Sequence, residues 1–332
     1  MPYIKAINYY LPTNILSNED LVKDFPEWTV EKIANKVGVN NRHVADENET
    51  ALDLALKSVQ KLFEENPSIN KEDIDFLIFC TQSPDYFLPS SSCILQNKLG
   101  LKTNIGAFDF NLGCSGYIYG LAIAKGLISG KIAKNVLLLT AETYTKYLHP
   151  KDKGNKTIFG DGASATLIST NGWAEIGDFD LGTDGNGAEN LIVKSGALRN
   201  RDKLEDLNFD ENGNPISSDY LYMNGAAIFN FTQKNVPIVV KNTLLKNNLS
   251  LSDINLFIFH QANQYMLEFL RKKIKIEKEN FYINMSEIGN TVSNSIPIAI
   301  KEAIDNNLLK GNILLCGFGV GYSWGGYVIK CV

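Results

Sequence analysis

The 332-residue sequence predicts an α/β protein built on a duplicated unit. Three observations carry that prediction. The run Asp73-Ile74-Asp75-Phe76-Leu77-Ile78-Phe79-Cys80 returns as Asp253-Ile254-Asn255-Leu256-Phe257-Ile258-Phe259-His260. The run Asn135-Val136-Leu137-Leu138-Leu139-Thr140 returns, at nearly the same offset, as Asn312-Ile313-Leu314-Leu315-Cys316. Each run is continuously apolar over its core, as a strand covered on both faces requires. Repetition at a near-constant offset outranks local propensity in setting a fold. The expected halves are 1–170 and 171–332.

In chain order, Tyr3 to Tyr10 reads as a strand that ends before Pro12. Residues 17–37 read as helical, with Ser17 as N-cap and Asp20 three residues on. Pro26 breaks or restarts that helix because it has no N–H to give. Trp28 lies just beyond. Thr50 caps a helix running to about Glu65, whose Leu52, Ala55, Leu56, Val59, Leu62 and Phe63 share one face. A loop holding Pro84 and Pro89 leads to a helix around Ser91 to Leu99. Ile105 to Phe110 is a buried strand, and Tyr117 to Ser129 suits a helix. Phe159 to Ile168 is a turn into a strand. In the second half, a helix from about Ile228 to Asn247 echoes the one at Thr50. Phe281 to Asn284 falls where a second copy of the Ile105–Phe110 strand belongs, and a helix containing Ser295 to Ala303 follows. Residues 185–222 are rich in Asn, Asp, Gly and Ser and show little periodicity. They read as a long surface excursion, and long loops of this kind often serve as lids or partner surfaces.

Composition narrows the function. With 44% hydrophobic and 21% charged residues the chain is of ordinary globular type, and a net charge of −5 gives no footprint for nucleic acid. The five cysteines (Cys80, Cys93, Cys114, Cys316 and Cys331) are odd in number and have no close pairs. That pattern argues against a disulfide framework and against a zinc site, so no metal is expected. Met1-Pro2-Tyr3-Ile4-Lys5 does not open a signal peptide, and no apolar run approaches membrane-spanning length. The expectation is a soluble cytoplasmic protein.

The chemistry converges on Asn111-Leu112-Gly113-Cys114-Ser115-Gly116-Tyr117, a cysteine on a tight strand-to-helix turn. A helix N-terminus carries positive partial charge and unpaired N–H groups, which predicts a thiolate at Cys114. Gly113, Ser115 and Gly116 leave room for a substrate carbonyl. Cys114 is therefore a candidate nucleophile, with a buried structural cysteine as the alternative. Of the three histidines, His43 follows Arg42 in a polar stretch and His149 precedes Pro150, so both read as surface or loop residues. His260 ends an apolar strand, which would hold its ring rigidly. Ile288-Gly289-Asn290-Thr291 also follows a strand. All three sit at strand carboxyl ends, where open α/β sheets place ligands.

Several stretches resemble the motifs of one family. They are Asn111 to Gly116, His260-Gln261-Ala262-Asn263, and Gly289-Asn290-Thr291 followed by Ser295-Ile296-Pro297. Gly160-Asp161-Gly162-Ala163 and the closing Gly317-Phe318-Gly319-Val320-Gly321-Tyr322-Ser323-Trp324-Gly325 belong to the same set. In this order, from about Tyr3 to Val332, they resemble the β-ketoacyl-[acyl-carrier-protein] synthase III family of thiolase-like condensing enzymes. The resemblance implies a thiolase-like, duplicated αβαβα five-layer sandwich that forms a homodimer. It implies the catalytic set Cys114, His260 and Asn290. Acyl transfer from acyl-CoA to Cys114 would be followed by decarboxylative condensation with a malonyl thioester on acyl carrier protein. No cofactor would be permanently bound; coenzyme A enters as the substrate thioester. Trp28 and Lys153 match positions flanking the CoA adenine, and Met223, Phe229, Ala262 and Asn263 match positions along the pantetheine arm. Leu88, Tyr144 and Phe159 match the acyl pocket. Arg271, Lys272 and Lys273 match a helix edge that meets the acidic carrier. Lys153 and Tyr265 stand where arginine is usual, and Val320 where glycine is usual. The alternative is an acyltransferase of the same fold that passes the acyl group to an oxygen or nitrogen acceptor.

Overall fold

Successive side chains of a strand face opposite ways, so a strand that is apolar throughout needs a cover on each side. The computed structural model, which describes residues 1–211 and 213–332, supplies both covers. The long elements come in two series. The first is β1 (Tyr3–Tyr10), α1 (Ala51–Glu65), β2 (Phe76–Cys80), α2 (Ser91–Lys98), β3 (Gly106–Phe110), α3 (Gly116–Ser129), β4 (Asn135–Glu142) and β5 (Gly162–Ser169). The second is β6 (Ala174–Thr183), α4 (Gly225–Lys246), β7 (Ile254–Phe259), α5 (Gln264–Ile274), β8 (Phe281–Tyr282), α6 (Ser295–Asp305), β9 (Asn312–Gly319) and β10 (Ser323–Cys331). The order of helices and strands is the same in both.

So is the pairing. Read outward from the middle of the ten-stranded sheet, the strands run β1-β5-β4-β2-β3 one way and β6-β10-β9-β7-β8 the other. In each series the two strands flanking the repeated Asp-Ile strand are parallel to it, and the remaining neighbours are antiparallel. Within the ten-stranded sheet the series meet at β1 and β6, through Tyr3 opposite Glu175 and Ile4 opposite Ala174.

The layers follow from which side chains face which way. Ile78, Val136 and Leu138 face inward with Ile258, Ile313 and Leu315, and between them lie α3 and α6. Leu77, Phe79, Leu137 and Leu139 face outward onto α1 and α2. Phe257, Phe259, Leu314 and Cys316 do the same onto α4 and α5. The result is helix, sheet, helix, sheet, helix, the thiolase-like five-layer sandwich.

The sequence explains the helices. Thr50 accepts the Asp53 N–H and Asp53 returns a bond to the Thr50 N–H, a capping box that starts α1. Ser17 and Asp20 make the same box, and Pro26 splits the expected 17–37 helix into Asn18–Asp24 and Val30–Val37. A helix between two sheets has no wet face, and α3 is apolar all round but for Lys125, which reaches out to the Gly177 carbonyl and Asp178.

Residues 185–222 are only partly the surface excursion expected. Leu191–Ile192 pairs with Tyr222–Met223, and Asn208–Phe209 with Pro215–Ile216. Leu191 and Leu221 are buried on Cys114. His149, expected as a surface or loop residue, lies in a loop but is buried edge-on against Phe209 and Tyr220 of this segment, because the excursion folds back over it. His43 lies in a short strand, Asn41–Val44, with Nδ1 at 2.6 Å from the Pro12 carbonyl. Among the described residues no helix is long and apolar enough to cross a membrane.

One buried side chain ties β4 and β5 to the turn before α6. The Asn294 Oδ1 accepts the Thr140 hydroxyl at 2.5 Å, and its Nδ2 donates to the carbonyls of Gly162 at 2.8 Å and Thr291 at 3.1 Å. Asn294→Ala takes a partner from the Gly162 carbonyl and one of two from the Thr140 hydroxyl and the Thr291 carbonyl, which keep the Ser164 hydroxyl and the residue-294 N–H. The variant should lose about 3 kcal/mol, the combined cost of the lost bonds. Urea unfolding should show a lower midpoint with an unchanged m-value.

Candidate active site

Cys114 does not lie in a helix. The α3 N-cap is Ser115, whose hydroxyl bonds the Ser323 hydroxyl at 2.5 Å instead of capping the helix. The glycines around the cysteine are demanded by close packing. A Cβ on Gly319 would stand 2.7 Å from Cys114 Cβ and 2.9 Å from its sulfur. A Cβ on Gly113 would stand 2.5 Å from Gln82 Oε1 and 2.6 Å from Val320 Cγ1. The backbone N–H groups of Cys114 and Val320 are both directed at the sulfur. Val320 keeps an ordinary negative φ, and the positive φ of this loop falls on Gly321, so a β-branched residue fits here without strain.

The expected thiolate is a correction. Burial pushes the Cys114 thiol up to about 12, and the Glu142 carboxylate pushes the same way. Desolvation outweighs the two N–H groups and the helix end, so the resting side chain is a thiol. Glu142 is itself fully buried, and burial lifts its carboxyl to about 8 against the bonds it accepts from the Gln82 N–H and the Ser83 and Ser293 hydroxyls. At pH 7 it is mostly neutral, so burial is the main cause of the raised thiol.

His260 follows β7. Its N–H donates to the Cys316 carbonyl at 2.8 Å, and its ring stands edge-on to Phe318. Burial takes the imidazole down to about 3, so it is neutral. Nδ1 lies 2.7 Å from the Ser295 hydroxyl, the first residue of α6. A hydroxyl can donate to a bare Nδ1 or accept from Nδ1–H, so this partner serves either tautomer.

Asn290 is held by its own turn. Its Oδ1 accepts the Val292 N–H at 2.9 Å, and its Nδ2 donates a long 3.4 Å bond to the Ala262 carbonyl, two residues past His260. Val292, a buried β-branched residue, has φ +56°, a strained conformation that aims this N–H back at the amide. Val292 also packs on Cys114, while the end of β9 touches both Cys114 and His260. The three motifs thus share neighbours around one sulfur.

The other expected positions divide. Trp28, Lys153 and Met223 line one cavity of about 490 Å³. Lys153 is ion-paired with Glu27, and the ammonium groups of Lys32 and Lys36 stand 5.3 and 5.0 Å from the centre of the Trp28 ring. Phe229 packs instead against Tyr265 and Phe269. Ala262 presents its carbonyl to Asn290, and Asn263 Oδ1 caps α5 through the Met266 N–H. Tyr144 and Phe159 share a buried cluster with Cys114. Leu88 does not; it is 82% exposed at a loop tip, because Pro84 to Pro89 runs outward over the surface. Arg271 is spent within its own helix end, on Glu268 and the Ile276 carbonyl, and is not free for a carrier. Sequence reasoning passed over Glu142 and Gln82. A lone carboxylate closing the apolar run Val136 to Ala141 was the available signal for Glu142.

The chain is similar to known proteins over nearly its whole length. Residues 108–185 match the family model for 3-oxoacyl-[acyl-carrier-protein] synthase III, and residues 244–331 match the model for its C-terminal region. A β-ketoacyl-[acyl-carrier-protein] synthase III from Clostridium perfringens is 38% identical over 324 residues, covering 97% of this chain and 96% of that one. A crystal structure of a 3-oxoacyl-(acyl-carrier-protein) synthase III superposes with a TM-score of 0.96 at 45% identity, covering 99% of each chain. The 3-oxoacyl-(acyl-carrier protein) synthase of Burkholderia xenovorans gives 0.90 at 36%, covering 100% of this chain and 94% of that one.

The neutral His260 has a consequence in acid. A free imidazole binds a proton below about pH 6.5, whereas the folded chain resists one until about pH 3. This contribution to stability is complete above pH 6.5 and falls as the pH drops toward 3. Between pH 7 and pH 5 the wild type should lose about 2 kcal/mol more than His260→Ala. Urea midpoints of both proteins at the two pH values check it, and parallel losses would contradict a buried neutral histidine.

Proposed function

The chain belongs to the β-ketoacyl-[acyl-carrier-protein] synthase III family and is an acyl-transferring condensing enzyme of that type; from that premise we propose that Cys114, His260 and Asn290 carry the reaction. The observation that supports this most is the convergence of three motifs on one buried sulfur that faces two backbone N–H groups.

In the first half-reaction the Cys114 sulfur attacks the carbonyl of an acyl-CoA. The thiol proton passes to a bare His260 Nε2 as the sulfur–carbon bond forms, and then to the departing CoA sulfur. The N–H groups of Cys114 and Val320 stabilise the oxyanion of the tetrahedral intermediate. In the second, a malonyl thioester on acyl carrier protein loses CO₂. The electrons of the broken carbon–carbon bond form an enolate, whose oxygen takes hydrogen bonds from His260 Nε2–H and Asn290 Nδ2–H. The enolate carbon attacks acyl-Cys114 and the bond from the acyl carbon to the Cys114 sulfur breaks, giving a β-ketoacyl thioester and a thiolate that takes one proton from solvent to restore the resting thiol. The Ser295 hydroxyl suits both halves because it accommodates either tautomer of His260.

Trp28, Lys153 and Met223 are read as the CoA entrance, with Lys32 and Lys36 supplying charge for its phosphates; Phe229, Ala262 and Asn263 are read as the inner wall of the arm's path. Residues 1–170 and 171–332 are read as the two halves of one catalytic unit. A homodimer is supported by the unpaired outer edge of β3 and by the exposed apolar tip Tyr86-Phe87-Leu88, which a second copy would cover. A cytoplasmic location and the absence of a permanent cofactor are parts of the same reading.

Two experiments test it. Cys114→Ser should take up no acyl group from acyl-CoA by intact-protein mass spectrometry, and full activity would remove Cys114 from the chemistry. Asn290→Ala should still acylate Cys114 but release CO₂ from malonyl carrier about a hundredfold more slowly, the usual loss for one oxyanion donor. Condensation at the wild-type rate would overturn the role given to Asn290. For the CoA entrance, Trp28→Ala should raise the KM for acyl-CoA with kcat nearly unchanged, as loss of uniform binding does.

A further inference from the structure

A cavity of about 700 Å³ is lined by Val320, whose N–H faces the Cys114 sulfur, and by Tyr144 of the Cys114 cluster, and its lining is of two unlike kinds. One is apolar, made by Leu191, Val193 and Leu221 of the excursion. The other is polar. The Tyr144 hydroxyl donates to Gln82 Oε1 at 3.3 Å, and Gln82 Nε2 donates to Asn111 Oδ1 at 3.1 Å. This wall touches the nucleophile's own turn, because Gln82 Oε1 lies against Gly113. It is also built to stay in place. The Gln82 N–H bonds Glu142 at 3.0 Å, and the Gln82 carbonyl accepts the Tyr147 hydroxyl at 2.6 Å. Among the described residues no bond takes the second amide N–H of Gln82 or the lone pairs of the Tyr144 oxygen.

An unbranched alkyl chain in this cavity would strip water from those groups and return nothing. A chain with an oxygen would satisfy them. Resting on the assignment of Cys114 as acyl acceptor, we propose that the primer is a short hydroxyacyl group, its hydroxyl bonded to the Tyr144–Gln82–Asn111 wall and its carbons on Leu191, Val193 and Leu221. Its transfer is an ordinary thioester exchange. The bond from the acyl carbon to the CoA sulfur breaks, the bond to the Cys114 sulfur forms, and the Cys114 proton ends on the released CoA thiol. Nothing is oxidised or reduced.

Pairwise competition tests the proposal. Butyryl-CoA is offered against 3-hydroxybutyryl-CoA, and separately against 4-hydroxybutyryl-CoA, and the adducts on Cys114 are counted by intact-protein mass spectrometry. Wild type should favour at least one hydroxyl-bearing primer by about tenfold or more, since a site built to bond a hydroxyl rejects the analogue that lacks it, whereas an apolar pocket does not favour the added group. Tyr144→Phe and Gln82→Leu should bring the ratio to one or below. The ratio is read within each sample, so a partly misfolded variant still reports it. Butyryl uptake equal to or above that of both hydroxy primers in wild type would overturn the proposal. So would a preference that survives both substitutions. No adduct from any thioester, in wild type, would overturn the Cys114 assignment and this inference with it.

Discussion

Two helices buried between two sheets set the terms for everything else in this molecule. Helices α3 and α6 reach water only at their C-terminal ends, at Gly126 and Ser129 and at Lys301 and Asp305, so their first turns must be apolar and tightly fitted to strands on both sides. Polar chemistry can then sit where those helices begin and at the strand ends around them. Each begins at the carboxyl end of a short outer strand, β3 or β8, and those two starts carry the Cys114 turn and the Asn290 turn. Burial also forbids loose ends. Ser115 is met by Ser323 of β10, Asn294 by Thr140 of β4, and Ser293 reaches Glu142 at the end of β4. These crossings lock the first series of elements to the second at the site itself.

The same dryness decides the charge state. Burial moves the ionisable groups in and beside the site toward their neutral forms: the Cys114 thiol, the Glu142 carboxyl and the Tyr144 phenol up, the His260 imidazole down. A resting site with little net charge costs less to bury than an ion pair would. Charge then arises only during reaction, first on a tetrahedral oxygen and then on an enolate, where oriented N–H groups are already in place and little water competes with them. The strained φ of Val292 belongs to that preparation, since it fixes the amide of Asn290 before substrate arrives.

How much of this the sequence revealed depends on how local each feature is. The strands, the capping boxes at Ser17 and Thr50 and the break at Pro26 rest on neighbours in the chain, and all appear as read. The three motifs around Cys114, His260 and Asn290 were legible because each keeps its residues contiguous. The state of the thiol was not, because a helix end is a local signal while desolvation comes from Tyr144, Phe159, Leu191 and Val292, far apart in sequence. The surroundings of Leu88 and His149 were illegible for the same reason, in opposite directions. One lies on a loop that leaves the surface, the other under an excursion that returns to it. Glu142 and Gln82 gain meaning only from each other, across the β2–β4 pairing.

The duplication itself explains why the site is lopsided. Equivalent strands end at equivalent places around the cysteine, yet the two copies have taken different work. The end of β7 supplies His260, whereas the matching end of β2 supplies buried Cys80 and, two residues on, the amide of Gln82. The end of β9 supplies Gly319, small enough to lie against the Cys114 sulfur, whereas the matching end of β4 supplies Glu142. One copy's strand ends carry donors for an enolate; the other's hold up the wall beside the acyl group. A single unit paired with itself would have two identical half-sites, each with a nucleophile and no enolate donors or the reverse. Divergence between the copies lets a thiol that must accept an acyl group and donors that must hold an enolate stand around the same few cubic ångströms without competing for the same strand end.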